Sequence, residues 1–248
     1  MKAMIFAAGL GTRLRPLTDS KPKALVEAGG VAMLSRVISH LAGAGVNDIT
    51  VNIHHHAAMI REYIESHPVA GITFHISDES DMLLDTGGGI LKARCNLDGD
   101  EPFIVYNADI LSDVNVAAMV EYHQKSGATA TLLVKERESS RRLLIDNNSG
   151  RMRGWTNIKT GEIKPSGVVA DGCRWRAFGG IHVLSPAIFP ELEKYATEAK
   201  FSIMPFYIDR CNLLDIRAYE PAEDYMWHDI GSLQNLKAAE EALAKCNK

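Results

Sequence analysis

The sequence predicts an α/β fold: a largely parallel sheet covered on both faces by helices. Three observations point to it. Short apolar segments of strand length alternate with longer segments whose apolar residues recur at helical spacing. The first strand-like segment runs straight into a glycine-rich break, as strands do where a βαβ unit turns toward its helix. The chain has 248 residues, 46% hydrophobic and 23% charged, enough to enclose a sizeable core.

Residues 2–7 read as a short buried strand that ends in Ala8-Gly9-Leu10-Gly11-Thr12, where small residues interrupt the pattern. Over residues 33–44 the apolar positions Leu34, Val37, Ile38 and Leu41 have helical spacing, and Gly45 suits the helix end. Residues 49–53 read as the second strand, 57–66 as a helix, 72–76 as a strand, and a helix begins near Gly89. Residues 102–106 are the next buried strand. Strands separated by helices imply parallel pairing, and such sheets hold ligands at the carboxyl ends of their strands, so the loops after Phe6 and Tyr106 should belong to the site. From 135 to 176 the texture changes to charged, glycine-containing turns around short β-like pieces at 142–145 and 152–156, which predicts a small β insertion on the ligand side. A strand at 177–184, a helix at 201–210, a strand at 216–219 and an amphipathic helix at 233–244 complete the chain. Neither an internal repeat nor a low-complexity tract is present.

Composition removes several function classes. The net charge of −4 gives no whole-molecule attraction for nucleic acid. The longest apolar runs, such as 3–10, are far too short to cross a bilayer, and Lys2 is the only charged residue before that run. The expectation is a cytoplasmic protein with no membrane partner. Four cysteines, Cys95, Cys173, Cys211 and Cys246, are scattered without a C-x-x-C pair, so neither a disulfide framework nor a zinc knuckle is suggested. Positive charge is instead concentrated in one loop, where Arg13, Arg15, Lys21 and Lys23 stand against the single acid Asp19.

A strand followed by Gly9-Leu10-Gly11 could open a dinucleotide fingerprint. The third glycine of that pattern falls on Leu14, however, and Pro16 interrupts the helix that should follow, which disfavours a Rossmann oxidoreductase. The chain also lacks G-x-x-x-x-G-K-[ST]. What remains is a strand, a flexible glycine turn and nearby cations.

The run Ala7-Ala8-Gly9-Leu10-Gly11-Thr12-Arg13-Leu14-Arg15-Pro16-Leu17-Thr18, followed by Lys21-Pro22-Lys23-Ala24-Leu25, resembles the signature of the sugar-1-phosphate nucleotidylyltransferases. Further similarity lies at Asp85-Thr86-Gly87-Gly88-Gly89-Ile90, Asn107-Ala108-Asp109, Phe178-Gly179-Gly180-Ile181 and Trp227-His228-Asp229-Ile230-Gly231, in the right order over nearly the whole chain. The resemblance is to short bacterial members: N-acetylmuramate-1-phosphate uridylyltransferases and guanylyltransferases acting on mannose- or heptose-1-phosphate. Two departures, Ala24 where many relatives have proline and Ala108 where glycine is usual, both leave the neighbouring charged residue in place.

The resemblance implies a Rossmann-like three-layer α/β/α nucleotidyltransferase fold with a mostly parallel mixed sheet, in one domain over 1–248. Its nucleotide-binding half would be about 1–134, and its sugar-binding insertion and C-terminal part about 135–248. It implies joining a nucleoside triphosphate to a sugar 1-phosphate with release of pyrophosphate, in a monomer or small homo-oligomer. Two polyanions must meet, so the protein's task is to neutralise charge and position the reactants. Arg13 and Lys23 match the family's catalytic positions. The nucleotide would be held by Ala8, Gly9, Gly11, Thr12, Arg13, Lys23, Asp85, Thr86, Gly87 and Gly88, with the glycine cluster lying close to the base. Asn107, Gly180 and Lys200 would contact the sugar. Asp109 and Asp229 would hold Mg²⁺, which prefers oxygen ligands and needs only one or two carboxylates. UTP is the expected nucleotide. GTP with mannose- or heptose-1-phosphate is the alternative, and a non-catalytic nucleotide- or sugar-binding regulatory subunit is the alternative of another class.

His54-His55-His56 invites a metal reading, but adjacent residues on an extended strand point to opposite faces, so these three make a poor chelating set. A turn at a strand end is expected there.

Overall fold

The computed structural model describes residues 1–246; the last two residues of the expected domain lie outside them. Strand β1 (Lys2–Phe6) sends Ala3 and Ile5 into one apolar cluster and Met4 into another, the period-2 pattern of a strand buried on both sides. Three 3₁₀ turns, Thr12–Leu14, Leu17–Asp19 and Lys23–Leu25, lead to a small ribbon of β2 (Glu27–Ala28) and β3 (Val31–Ala32). Helix α1 (Met33–Gly43) then buries Leu34, Val37, Ile38 and Leu41, the four predicted positions. Next come β4 (Asp48–Ile53), α2 (Ala57–Ser66), β5 (Thr73–Asp78), α3 (Asp85–Lys92), α4 (Arg94–Leu97) and β6 (Phe103–Asn107). β1 pairs in parallel with β4 on one side and β6 on the other, and β5 adds in parallel beyond β4.

Between β6 and the insertion lie three elements that the sequence pattern left unassigned: β7 (Ile110–Ser112), α5 (Val116–Ser126) and β8 (Ala130–Lys135). Asn115 caps α5 by accepting from the Ala118 amide at 2.9 Å, and Gly127 ends it in the left-handed region at φ 63°. The insertion is an antiparallel unit of β9 (Arg141–Asp146), β10 (Met152–Asn157) and β11 (Glu162–Lys164). Strand β12 (Cys173–Leu184) ties it to the centre, pairing with β9 through residues 173–176 and with β6 through 181–184. Its pairing with β8 slips register between Phe178 and His182, around Gly179 and Gly180. The chain ends with α6 (Ile188–Tyr195), α7 (Ile203–Arg210), β13 (Ile216–Tyr219) parallel to β8, β14 (Trp227–Asp229) antiparallel to β7, and α8 (Leu233–Cys246).

The ten-stranded mixed sheet is parallel across β5-β4-β1-β6 and carries helices on both faces. Helices α1, α2 and α5 pack on one side; α3, α4, α6 and α7 pack on the other. A third cluster joins Leu236 and Ala239 of α8 to Leu14, Val26 and Met33. This is the three-layer architecture expected.

One boundary needs correction. α3 begins at Asp85, not near Gly89, so the three glycines are helical and do not form a loop. A Cβ on Gly87 would lie 2.3 Å from the Phe201 ring, and one on Gly88 would lie 2.1 Å from the Ala199 carbonyl oxygen. Close approach of the segment before α7 overrides the poor helix propensity of glycine.

Candidate active site

A cavity of about 400 Å³ opens at the carboxyl ends of β1, β4, β5 and β6, the end at which parallel sheets hold ligands. Ala8 and Gly9 form one wall, Asp85 and Thr86 another, and Lys23, Asn107, Asp109 and Lys200 complete it.

The glycine loop is fixed at its base by a buried bracket. Ala7 and Ala8 both donate their amides to Asn52 Oδ1, at 2.8 and 3.3 Å. Asn52 Nδ2 donates to Glu79 Oε1 at 2.8 Å, and Glu79 Oε2 accepts from the Leu84 amide at 3.0 Å, just before α3. Asn52 is 2% exposed and Glu79 fully buried, so these bonds have no aqueous substitute. Beyond the bracket, the amides of Gly9, Leu10 and Gly11 have no protein acceptor among the described residues. Successive free amides of this kind form a concavity suited to phosphate oxygens. Gly11 sits at φ 64°, where a Cβ would come within 2.8 Å of Thr18 Cγ2, so glycine is needed for the turn.

Asp109 and Asp229 are 120 residues apart in sequence, and the β7–β14 ribbon brings them together. Asp229 pairs with Ile110, and the Ile230 amide donates to the Asp109 carbonyl at 2.8 Å. Lys23 Nζ donates to Asp109 Oδ2 in an ion pair whose two side chains are 15% and 24% exposed. Asp229 Oδ1 is buried and has no hydrogen-bond partner. Burial, and after it the charge of Asp109, push the Asp229 carboxyl above the usual carboxylate range, while Lys23, Arg13 and Arg137 pull the other way. Two close carboxylates with an unsatisfied buried oxygen are a donor set suited to a hard dication. Among the described residues no third acidic, histidine or cysteine ligand joins them, which fits an ion that takes water and substrate phosphate as its other ligands. Arg13 lies beside this pair: a Cβ on Gly231 would meet Asp229 Oδ1 at 2.7 Å and an Arg13 guanidinium nitrogen at 2.8 Å.

A second pocket, of about 310 Å³, shares Thr86 and Asn107 with the first and is otherwise built from the insertion, β12 and the start of α7. Arg137 stands in it with its guanidinium 4.3 Å from the centre of the Trp227 ring, donating to the Phe178 carbonyl at 3.0 Å. Its buried Nε has no partner. Burial pulls this guanidinium down from its ordinary pKa, and Asp229 pushes it back up. His182, 1% exposed and bonded to the Tyr207 hydroxyl at 2.7 Å, is held neutral by burial with a pKa of about 3, so it adds no charge here.

The family model described as nucleotidyl transferase matches residues 2–246. The chain belongs to that family. The chain is 32% identical over 254 residues to an N-acetylmuramate alpha-1-phosphate uridylyltransferase of Caulobacter vibrioides, covering 98% of this chain and 97% of that protein. It is 31% identical over 240 residues to a mannose-1-phosphate guanyltransferase of Schizosaccharomyces pombe, covering 93% of this chain but only 61% of that protein. A mannose-1-phosphate guanylyltransferase catalytic subunit beta of Dictyostelium discoideum is likewise covered over 61% of its length, so the chain spans about three fifths of these guanylyltransferases. Among solved structures, apo-UDP-glucose pyrophosphorylase superposes with a TM-score of 0.78 at 18% identity over 100% of both chains. HddC from Yersinia pseudotuberculosis, complexed with GMP-PN, gives 0.74 at 20% identity over 98% of this chain and 99% of that one. These likenesses show the fold.

The residues expected from sequence fall into three sets. Ala8, Gly9, Lys23, Asp85, Thr86, Asn107, Asp109 and Lys200 are brought together on the first cavity. Gly11, Thr12, Arg13 and Asp229 lie on the turn and ribbon beside it. Gly87, Gly88 and Gly180 line neither cavity. The Gly87 and Gly88 amides already donate to the Phe201 carbonyl, at 2.9 and 3.1 Å, so they are not free to pair with a base. Gly180, at φ 77°, forms the β12 bulge behind Asn107, where a Cβ would meet Asn107 Nδ2 at 3.1 Å and Ile110 Cγ1 at 2.8 Å. The three histidines are a strand-end turn as expected, with His54 Nδ1 bonded to the Glu79 carbonyl at 2.7 Å. Sequence reasoning missed Glu79, Arg137, Arg141, Trp155 and Ser202. For Arg137 and Arg141 the available signal was the density of arginine in the insertion.

No helix among the described residues is long and apolar enough to cross a membrane.

Proposed function

We propose that this chain transfers a nucleotidyl group from a nucleoside triphosphate to a sugar 1-phosphate, releasing pyrophosphate, with UTP as the preferred nucleotide and Mg²⁺ as cofactor. The observation that carries the reading is the meeting of Lys23, Asp109 and Asp229 beside two pockets that share Thr86 and Asn107. One pocket has the volume for a nucleoside and the other for a sugar ring.

In the reaction a phosphate oxygen of the acceptor attacks the α-phosphorus, a new P–O bond forms, and the bond to the β-phosphate oxygen breaks with its electrons leaving on pyrophosphate. The free amides of Gly9, Leu10 and Gly11 cradle the triphosphate, and Arg13 neutralises its outer charge. Lys23 exchanges its Asp109 partner for phosphate oxygen, moving positive charge to the transferring group. Arg137, held over the Trp227 ring, orients the acceptor phosphate. Asp109 and Asp229 would hold Mg²⁺, whose chemistry when bound is to neutralise and align the phosphate oxygens.

UTP is favoured by the uridylyltransferase named above, which this chain matches over the full length of both proteins. A specific observation also supports GTP: Asp85 lines the cavity and could accept from guanine N1–H and its amino group. Four nucleoside triphosphates tested against a panel of sugar 1-phosphates, reading pyrophosphate release, decide the matter. Nucleotide binding without release would favour a regulatory subunit, and a tenfold preference for GTP would favour guanylyl transfer.

A further inference from the structure

Behind the second pocket lies a pair of polar groups that the reaction as derived does not use. The Tyr207 side chain is fully buried, and its hydroxyl has one partner among the described residues, His182 Nδ1 at 2.7 Å. The phenol oxygen can accept a hydrogen bond, but its hydrogen also needs an acceptor, and Nδ1 is the one within reach. Tyr207 therefore donates, Nδ1 accepts, and the imidazole proton sits on Nε2. Burial holds this ring neutral, with a pKa of about 3, so the same tautomer persists at physiological pH. The Phe178 ring, 4.8 Å away and at 87° to the imidazole, packs against it.

His182 stands on the wall of that pocket. Its Nε2 bonds to no protein atom among the described residues, yet it is not one of the buried atoms sealed off without a partner. The 1% of the residue that is exposed thus lets this N–H face the pocket. Of the other uncharged polar side chains there, Thr86, Asn107, Ser139 and Ser202 can each offer either a donor or an acceptor, whereas His182 offers a donor alone. A donor so nearly buried is costly unless a group in the pocket accepts from it. We infer that His182 sets specificity for the sugar 1-phosphate, its Nε2–H meeting one neutral oxygen of the sugar, and that Tyr207 is the positioning residue that fixes the tautomer. This rests on the nucleotidyl-transfer reading above and deepens it: a sugar without an oxygen at that place is used poorly.

Two measurements test it. In protein labelled with 15N-histidine, two-bond 1H–15N correlation should show a pyrrole-type Nε2 and a pyridine-type Nδ1, from about pH 5 to 8, for the ring whose signals are lost in His182→Asn. The opposite tautomer overturns the inference. The second measurement takes the sugar 1-phosphate with the highest kcat/KM and a set of its analogues, each with one oxygen-bearing substituent other than the phosphate replaced by hydrogen, and reads pyrophosphate release. One analogue should fall below the parent by at least about tenfold in the unmodified protein. His182→Phe/Tyr207→Phe, which leaves no hydroxyl stranded, should use that analogue and the parent equally. Equal use of every analogue by the unmodified protein overturns the inference, as does discrimination that survives in the double variant; both results spare the underlying reading. Failure of every sugar 1-phosphate to support pyrophosphate release defeats the reading and the inference together.

Discussion

Replacing Asn52 with leucine keeps the branched skeleton of the side chain and removes the two polar atoms that Asn52 gives to the bracket beneath the glycine loop. The Ala7 amide loses its acceptor at 2.8 Å, Glu79 Oε1 loses its donor at 2.8 Å, and the weaker contact from Ala8 at 3.3 Å also goes. Ala7 is 3% exposed and Glu79 fully buried, so water does not replace the lost partners. Two stranded buried groups at about 1–3 kcal/mol each come to roughly 2–6 kcal/mol. For a domain of this size, at about 2–4 °C per kcal/mol, Tm should fall by roughly 4–24 °C. Nucleotide affinity should fall as well, because the same two amides set the start of the phosphate cradle. Differential scanning calorimetry with and without nucleotide measures both effects. A fall in Tm below about 2 °C with unchanged nucleotide affinity would refute the claim that this bracket holds the loop.

Asp109→Asn and Asp229→Asn should each remain folded and lose roughly 10²-fold or more in turnover; Mn²⁺ titration followed by electron paramagnetic resonance should show weakened binding in both, and unchanged binding in either removes that residue from the metal pair. Lys23→Met should lose activity on a similar scale, while Lys21→Met, which lies on a separate surface pocket with Met59 and Tyr63, should lose little; equal losses would mean the assignment along this loop is wrong. His123, 2% exposed between Thr131 and Ser185, is pushed by burial from 6.5 down to about 4. The unfolded chain therefore binds this proton more readily than the folded one, so the contribution to stability is full above pH 6.5 and is lost as pH falls toward 4, by about 3 kcal/mol in all. His123→Gln should flatten the pH dependence of Tm across that window by the corresponding amount, and parallel curves for the two proteins would contradict the burial account.

The long apolar elements could be read from the sequence because their burial pattern is local: β1, α1, β4 and β6 show it in single windows. The stretch from 107 to 135 could not be read in this way. β7 and β14 are three residues each and acquire strand character only by pairing with one another, and the buried face of α5 is completed by His123, a polar residue whose partners lie on β8 and just after β12. The site divides along the same line. Lys23 and Asp109 stand in motifs that follow strands, so their neighbours in sequence identify them. Asn52 and Glu79 act through partners that only the assembled sheet supplies. Gly87 and Gly88 carried a true signal of close approach, but what approaches is Phe201 and Ala199 of the same chain.

Strand β12 couples the insertion to the centre of the sheet, pairing with β9 at its start and with β6 at its end. A swing of the insertion about the centre would have to bend β12 at the Gly179–Gly180 bulge, the irregular step between its two paired stretches. The spacing between the two cavities therefore depends on that one step of β12. Under the proposed reaction, adjustment would fall on this step, on the short free stretch at Gly9–Gly11 and on the side chains of Arg13 and Lys23. Amide hydrogen exchange should report this directly, with slow, jointly protected β12 and β6 and rapid exchange confined to that stretch until nucleotide arrives.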